Sequence, residues 1–172
     1  MTGTRRGLML CLLLLLSLSA RADWRTDLPE ARMVGQGEFT WFGLRVYNAR
    51  TWSAVTPLDW TRPFVLELTY HRNLSRDTLV EASLDEMRRL GGPGLTEATL
   101  ARWEAGMREG FVDVSPGMRI AGVYLPGQGC RFYVDGQLRR QVDDVAFARA
   151  FFAIWLDPRA RDPQLRQRLV GR

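Results

Sequence analysis

The sequence of 172 residues predicts an α+β fold, an antiparallel β-sheet with a layer of α-helices on one face. Segments with the two-residue period of strands occur in two groups, and each group is followed by two segments with helical spacing. Short Gly-containing turns join the strands of the second group. Because a short turn can join only antiparallel neighbours, these observations favour hairpins packed beneath helices over a parallel sheet.

The first group of strands lies between residues 37 and 70. Alternation along the segment that begins at Gly37 places two sets of side chains on opposite faces: Phe42, Leu44 and Val46 on one face, and Trp41, Arg45 and Tyr47 on the other. Residues 64–70 carry apolar side chains at every second position. This pattern predicts a strand with one buried face.

Two helices and a second group of strands follow. Ser75 is the candidate N-cap of a helix that Gly91 and Gly92 end, and Thr96 is the candidate N-cap of a helix that ends near Gly110. Three strand segments come next, at residues 118–125, 130–134 and 137–142. The last two are joined by the Asp-Gly pair at 135 and 136, a strong two-residue hairpin signal.

Two further helices end the chain. Asp143 or Asp144 caps a helix that is apolar most of the way round and ends at Asp157-Pro158, so this helix is predicted to be buried. Asp162 followed by a proline opens a short Arg-rich helix.

Residues 1–22 have the three parts of a cleaved signal peptide. Arg5 and Arg6 form the charged region, residues 8–18 form an apolar run, and Ala20-Arg21-Ala22 supplies the cleavage site. The apolar run is shorter than the roughly 20 residues of a membrane-spanning helix. We therefore predict a domain at 23–172, a periplasmic or secreted location in a bacterium, and no stable transmembrane segment after processing. The general secretory and twin-arginine routes both remain open.

Charge and cysteine usage exclude several classes of protein. Removing the three bases of the leader lowers the formal net charge from +5 to +2, and no basic cluster interleaved with aromatic residues remains, so nucleic acid is not a predicted partner. Cys130 is the single cysteine of the mature chain and His71 its single histidine. We therefore predict no intramolecular disulfide, no metal site and no cofactor.

Several strings of residues carry a family resemblance. They are Leu66-Glu67-Leu68-Thr69-Tyr70, Ser83-Leu84-Asp85-Glu86-Met87-Arg88, Gly122-Val123-Tyr124-Leu125-Pro126-Gly127 and Phe151-Phe152-Ala153-Ile154-Trp155-Leu156-Asp157, of which the last is the most specific. Across nearly all of residues 23–171 the sequence resembles exported bacterial members of the chalcone isomerase-like family. The resemblance implies an open-faced sandwich with a ligand cleft between sheet and helices. The family includes plant enzymes that close a chalcone to a flavanone and non-catalytic relatives that bind fatty acids.

The enzymes' catalytic pattern is not retained. The resemblance places their arginine near Gln36, their strand threonine near Phe42, and their helix tyrosine and asparagine near Leu79 and Glu86. Ring closure requires a fixed cation and oriented donors where charge develops. We therefore predict no catalytic residue.

Six residues are candidate ligand contacts: Arg45, Tyr47, Arg119, Tyr124, Arg131 and His71. Arg45 and Tyr47 are predicted to share a strand face, where a guanidinium and a hydroxyl suit a carboxylate. The alternatives are a solvated outer face for this pair, surface ion pairs for Arg119 and Arg131, packing for Tyr124, and a loop role for His71.

The preferred hypothesis is a periplasmic, non-catalytic protein that binds a small amphipathic or lipid-like carboxylate in an apolar cavity beneath the helices. One alternative is an isomerase, that is an intramolecular lyase, acting on a chalcone-like molecule. A second is an envelope accessory protein, suggested by Arg166 and Arg168 in the final helix. The sequence identifies no protein partner.

Overall fold

The computed structural model describes residues 23–172, and the predicted leader at 1–22 lies outside them. The strands are β1 (Arg32–Trp41), β2 (Leu44–Ser53), β3 (Phe64–Tyr70), β4 (Arg119–Leu125), β5 (Gly129–Val134) and β6 (Gln137–Val142). The helices are α1 (Trp24–Asp27), α2 (Arg76–Gly91), α3 (Glu97–Gly110), α4 (Val145–Leu156) and α5 (Pro163–Val170). Each strand pairs antiparallel with the next, so the predicted fold class is confirmed.

The four longer helices begin where the sequence predicts. In each, a polar side chain accepts a hydrogen bond from a backbone amide of the first turn; these residues are Ser75, Thr96, Asp144 and Asp162. Asp144 is therefore the cap of α4, which decides between the two aspartates that the sequence allows. At positions 135 and 136 both residues have positive φ, as the Asp-Gly hairpin requires.

The main core lies between the sheet and the helices. Phe64, on the inner face of β3, is fully buried, as are Phe147 and Phe152 of α4. Helix α5 packs against β1, and Gly35 permits this approach, because a Cβ atom there would lie 1.7 Å from the backbone oxygen of Arg168. The apolar side of α4 is buried as predicted, whereas three of the twelve residues of this helix are exposed.

The outer face of the sheet is partly covered by the short helix α1. Trp24 is buried against Val65, Val123 and Tyr133, and its Nε1 donates to the buried Glu67 over 3.2 Å. The prediction placed helices on one face of the sheet; this four-residue helix adds a small cover on the other. Within residues 23–172, no helix has the length and apolar character needed to cross a membrane.

The β1–β2 hairpin contains a bulge and extends past the end of β3. Phe39 pairs with Tyr47 and the next pair is Thr40 with Arg45, so Val46 is the extra residue. Tyr47 opposite Tyr70 is the last pair between β2 and β3. The residues between 40 and 46 therefore form a ribbon that projects beyond the rest of the sheet.

Candidate functional site

A cavity of about 480 Å³ lies between the inner face of the sheet and helices α2 and α4. Its lining is mainly apolar and includes the aromatic side chains Phe39, Trp41, Tyr47, Tyr70, Phe151 and Trp155. Trp41, Ala82 and Arg161 line it and are themselves exposed, so the cavity opens to solvent along these residues. Its volume falls within the roughly 300–1,000 Å³ typical of small-molecule sites. The predicted apolar hollow is therefore present.

Two tyrosine hydroxyls are polar groups that the sheet contributes to the cavity wall. The Tyr47 oxygen accepts a hydrogen bond of 2.9 Å from Nε1 of Trp155, which leaves its own proton free to be donated. The Tyr70 ring lies 6.0 Å from the Tyr47 ring, and within residues 23–172 its hydroxyl has no hydrogen-bond partner. Burial raises the pKa of both phenols above the ordinary range. Both side chains are therefore neutral hydrogen-bond donors at physiological pH.

The rim of the cavity carries a charged cluster formed by Glu86, Arg89 and Arg161. Glu86 accepts from Arg89 over 2.6 Å and from Nε of Arg161 over 2.8 Å. Burial acts to raise the pKa of Glu86, but the hydrogen bonds from the two arginines outweigh it and hold the pKa below its ordinary value. The cavity lining also includes Asp85 and Asp162, so the rim carries carboxylates as well as guanidinium groups.

Arg161 is the guanidinium of this cluster that lines the cavity, and Glu86 lines it as well. It lies in the connection between α4 and α5, and about half of its side chain is exposed. Its guanidinium also lies 5.8 Å from the centre of the Trp41 ring. Its exposed guanidinium is therefore a candidate contact for a negatively charged group at the rim.

Of the six candidate residues that the sequence suggested, Tyr47 lines the cavity. The prediction that Arg45 shares its face is wrong, because the bulge at Val46 interrupts the alternation between them. Arg45 donates to Glu38 over 2.8 Å, and His71 lies 3.2 Å from the same carboxylate. Hydrogen bonding from Arg45 is the largest influence that lowers the pKa of Glu38. Arg45, Glu38 and His71 thus form a hydrogen-bonded cluster beside the hairpin, outside the cavity.

The other three candidates also lie away from the cavity. Arg119 lies 3.9 Å from the buried Glu67, and Arg131 lies 3.1 Å from Asp27 of α1. Because both arginines alternate with inward-facing residues of their strands, they lie on the outer face. Tyr124 is buried in the core, with its ring stacked on Phe64 at 4.7 Å. These are the ion-pair and packing roles that the sequence left open as alternatives.

The four positions matched to the catalytic pattern of the enzymes divide into two pairs. Leu79 and Glu86 line the cavity. Gln36 accepts from Arg50 over 3.2 Å on the outer face, and Phe42 stands exposed at the hairpin turn. The cavity therefore contains a leucine and an ion-paired glutamate at the two positions where the resemblance places tyrosine and asparagine.

Sequence reasoning missed Arg161, Tyr70 and Trp155 as site residues. Trp155 lies in the most specific string of the family resemblance, and Tyr70 is the last residue of a predicted strand. Their positions in the sequence could therefore have identified both as candidate site residues. Arg161 stands among other arginines in a connection, and it meets Glu86, which lies 75 positions earlier in the chain. Local periodicity carries no information about such a pair.

Other chemistry in the described part of the chain is limited. Across residues 23–172, no group of three or more His, Cys, Asp or Glu side chains has the arrangement of a metal site. Cys130 is buried, and burial raises the pKa of its thiol above the ordinary range. This thiol is therefore a packed apolar group, as the sequence predicts, rather than a reactive nucleophile.

Leu165, Leu169 and Val170 of α5 are buried, and Nε of Arg166 donates to the backbone oxygen of Leu156 over 2.9 Å. The basic final helix is thus a packed part of the domain.

Comparison with known proteins agrees with this architecture. The family model described as chalcone isomerase-like matches residues 49–171, and the chain belongs to this family. Among solved structures, the chain is similar to a fatty-acid binding protein of Arabidopsis thaliana, with a TM-score of 0.63 and 12% sequence identity over 83% of this chain and 87% of that one. At this identity the likeness shows the fold. A search of the curated proteins found no match.

Proposed function

We propose that this protein binds a small amphipathic carboxylate of the fatty-acid type in the cavity and does so without catalysis. The observation that carries the proposal is an apolar chamber of about 480 Å³ with a guanidinium at its rim. The solved relative of the same fold is named as a fatty-acid binding protein, which supports this class of ligand.

Affinity in this proposal comes from two sources. The alkyl chain lies against the aromatic wall, where each buried methylene contributes about 0.8 kcal/mol. The carboxylate accepts hydrogen bonds from Arg161 at the rim, and charge-assisted bonds of this kind are roughly twice as strong as neutral ones. Glu86 keeps its bond to Arg89 when Arg161 turns to the ligand.

Obstructing the cavity entrance tests the site itself. Ala82 is an exposed residue of α2 at the cavity rim, and Ala82→Phe puts a large ring there. Ala101→Phe makes the same change on an exposed part of α3 outside the lining and is the matched control. Calorimetry with fatty acids of increasing length is expected to show binding by wild type and Ala101→Phe, and loss of binding in Ala82→Phe. Equal binding by all three proteins, or by none, contradicts the proposal.

Exchanging the ligand headgroup tests the role of Arg161. Arg161→Gln is expected to weaken binding of a fatty acid by at least about tenfold while changing binding of the matching fatty alcohol little, because only the acid carries the charge. Arg159→Gln is the control, since Arg159 pairs with Asp157 outside the cavity lining. An equal loss of affinity for the acid and the alcohol would show that the carboxylate does not bind to Arg161.

The raised pKa values of the two tyrosines mean that neither supplies a phenolate base in the cavity. A phenol whose pKa is raised is a hydrogen-bond donor and a poor general base. A chalcone is therefore expected to lose its visible absorbance at the uncatalysed rate in the presence of the protein. A faster loss that Tyr47→Phe abolishes favours the isomerase alternative.

Export with cleavage after Ala22 is part of the same proposal. Asp23 caps α1 and Trp24 is buried, so cleavage there leaves the first packed residues in place. In a bacterial host, the periplasmic fraction is expected to contain a chain that begins at Asp23, as N-terminal sequencing can read. Native mass spectrometry of that fraction then tests for a co-purified ligand; a spectrum of the bare protein alone counts against a carrier.

A further inference from the structure

The turn of the β1–β2 hairpin presents apolar side chains to solvent. We call residues 41–44 the hairpin tip. Phe42 is 89% exposed, Leu44 is 53% exposed and Trp41 is 48% exposed. Phe42 packs edge-to-face on Trp41, with the ring centres 5.1 Å apart. The tip is therefore a convex apolar knob on the projecting end of the ribbon.

The backbone conformation of the tip is also unusual for a large side chain. Phe42 has φ of 49° and Gly43 has φ of 75°, so both lie in the left-handed region. A two-residue turn of this type favours Asn, Asp or Gly at the first position, where a bulky aromatic residue is disfavoured. Phe42 is thus unfavourable in conformation and in exposure, and it fills no part of the core. Stability of the folded chain does not account for it.

The tip stands beside the entrance of the cavity. Trp41 is both a tip residue and a lining residue, and the Arg161 guanidinium lies 5.8 Å from its ring centre. Arg45, with about two thirds of its side chain exposed, follows the tip directly. Two guanidinium groups, each paired with a carboxylate, therefore lie beside the apolar side chains of the tip.

We propose that the hairpin tip inserts into the interfacial layer of a lipid bilayer and holds the cavity entrance against the membrane. Aromatic rings are enriched at this depth, and arginines can keep their charged ends among the lipid headgroups while their apolar stems lie deeper. A fluid interface accepts a convex knob without a matching surface. A second copy of this chain is a poorer occupant, because three side chains cannot supply the roughly 1,200 Å² or more that a stable interface buries.

The decisive variant is Phe42→Asn, which removes the apolar side chain and suits the positive φ. Leu138→Asn is the control, because Leu138 is 47% exposed on β6 at the opposite edge of the sheet. The mature chain is mixed with vesicles of phosphatidylethanolamine and phosphatidylglycerol and separated by flotation. We expect wild type and Leu138→Asn to float with the vesicles, and Phe42→Asn to partition at least about tenfold less, as loss of a buried phenylalanine implies.

Four outcomes overturn the inference: no flotation of the wild type, equal flotation of Phe42→Asn, flotation that disappears in high salt, or a concentration-dependent dimer that Phe42→Asn dissolves in the absence of vesicles. Thermal unfolding of each variant checks that the fold is intact. Membrane docking does not require a ligand in the cavity, so vesicle binding is measured without one. Calorimetry of a short fatty acid in vesicle-free solution is expected to be unchanged by Phe42→Asn, which separates this proposal from the proposed function.

Discussion

Helix α5 approaches the backbone of β1 closely at Gly35, and Gly35→Ala probes this contact directly. A Cβ atom at this position would lie 1.7 Å from the backbone oxygen of Arg168 and 2.7 Å from its carbonyl carbon. Both atoms belong to the α5 backbone, so no side-chain rotation can relieve the overlap. Because ordinary contact begins near 3.4 Å, α5 must retreat from β1 by about 1.7 Å or leave it.

The size of the effect follows from what α5 buries. Leu165, Leu169 and Val170 are at most 8% exposed, and complete burial of each such side chain contributes roughly 1.5–3 kcal/mol. Full undocking therefore costs about 5–9 kcal/mol, and a partial retreat that keeps some of these contacts costs about 3 kcal/mol. A typical domain is stable by only about 5–15 kcal/mol. We expect Gly35→Ala to lose a large part of the free energy of unfolding.

Urea denaturation measures this loss, and Gly37→Ala is the matched control. The Cβ atom at position 37 would lie 2.7 Å from Cδ1 of Leu165, the end of a flexible side chain that can turn aside. We expect the control to lose about 1 kcal/mol, at the lower end of the cost of overpacking a core. If Gly35→Ala proves no less stable than Gly37→Ala, the proposed backbone limit on α5 docking is wrong.

Three further substitutions separate stability from binding. Glu86→Gln is expected to tighten fatty-acid binding measured by calorimetry, because it removes a negative charge that repels the carboxylate of the ligand and competes with it for Arg161. Weaker binding by this variant refutes the prediction. Since the pKa of folded Glu86 is lowered, the stability that Glu86 adds relative to Glu86→Gln is present above pH 4.5 and is lost as the pH falls below it, as unfolding at several pH values can show. Tyr70→Phe is expected to keep or slightly raise the melting temperature and to weaken carboxylate binding; a clear fall in stability contradicts the absence of a partner for its hydroxyl. Thr51→Val removes the 2.5 Å hydrogen bond from a buried hydroxyl to α5 and is expected to cost about 1–3 kcal/mol in urea denaturation, a prediction that wild-type stability would disprove.

The fold was predictable because its determinants are local. Ser75, Thr96 and Asp162 each lie immediately before a helical pattern. Their hydroxyl or carboxylate oxygen accepts a hydrogen bond from a backbone amide of the first turn, as an N-cap does in an isolated helix. The Asp-Gly turn at 135 and 136 likewise fixes an antiparallel pair with two residues. Helix α1 escaped prediction because four residues are too few to show a period, and its anchor is the single side chain of Trp24.

The site was less predictable because its geometry depends on one inserted residue and one distant pair. A strict two-residue period puts Arg45 and Tyr47 on the same face, whereas the bulge at Val46 leaves Tyr47 in the cavity and Arg45 outside it. The cationic group that does reach the cavity, Arg161, is held by Glu86 from another helix. Alternation and capping are patterns among residues that are neighbours in sequence. Neither pattern can therefore predict the register shift at Val46 or the contact between Arg161 and Glu86.

The hydroxyls of the cavity are the strongest indication that the space serves a ligand. A core built for stability alone could have phenylalanine at position 70, because no hydrogen bond within residues 23–172 depends on that hydroxyl, whereas the Tyr47 oxygen accepts from Trp155. Tyr70 donates to no group within residues 23–172, and Tyr47 is fixed by Trp155 as an acceptor with its proton still to be donated. Two neutral donors on an apolar wall and a guanidinium at the rim have one need in common, which is a hydrogen-bond acceptor. A hydrogen-bond acceptor attached to an alkyl chain accepts from these donors and also fills the apolar volume of the cavity. Water would accept from the same donors but would leave the aromatic side chains in contact with solvent.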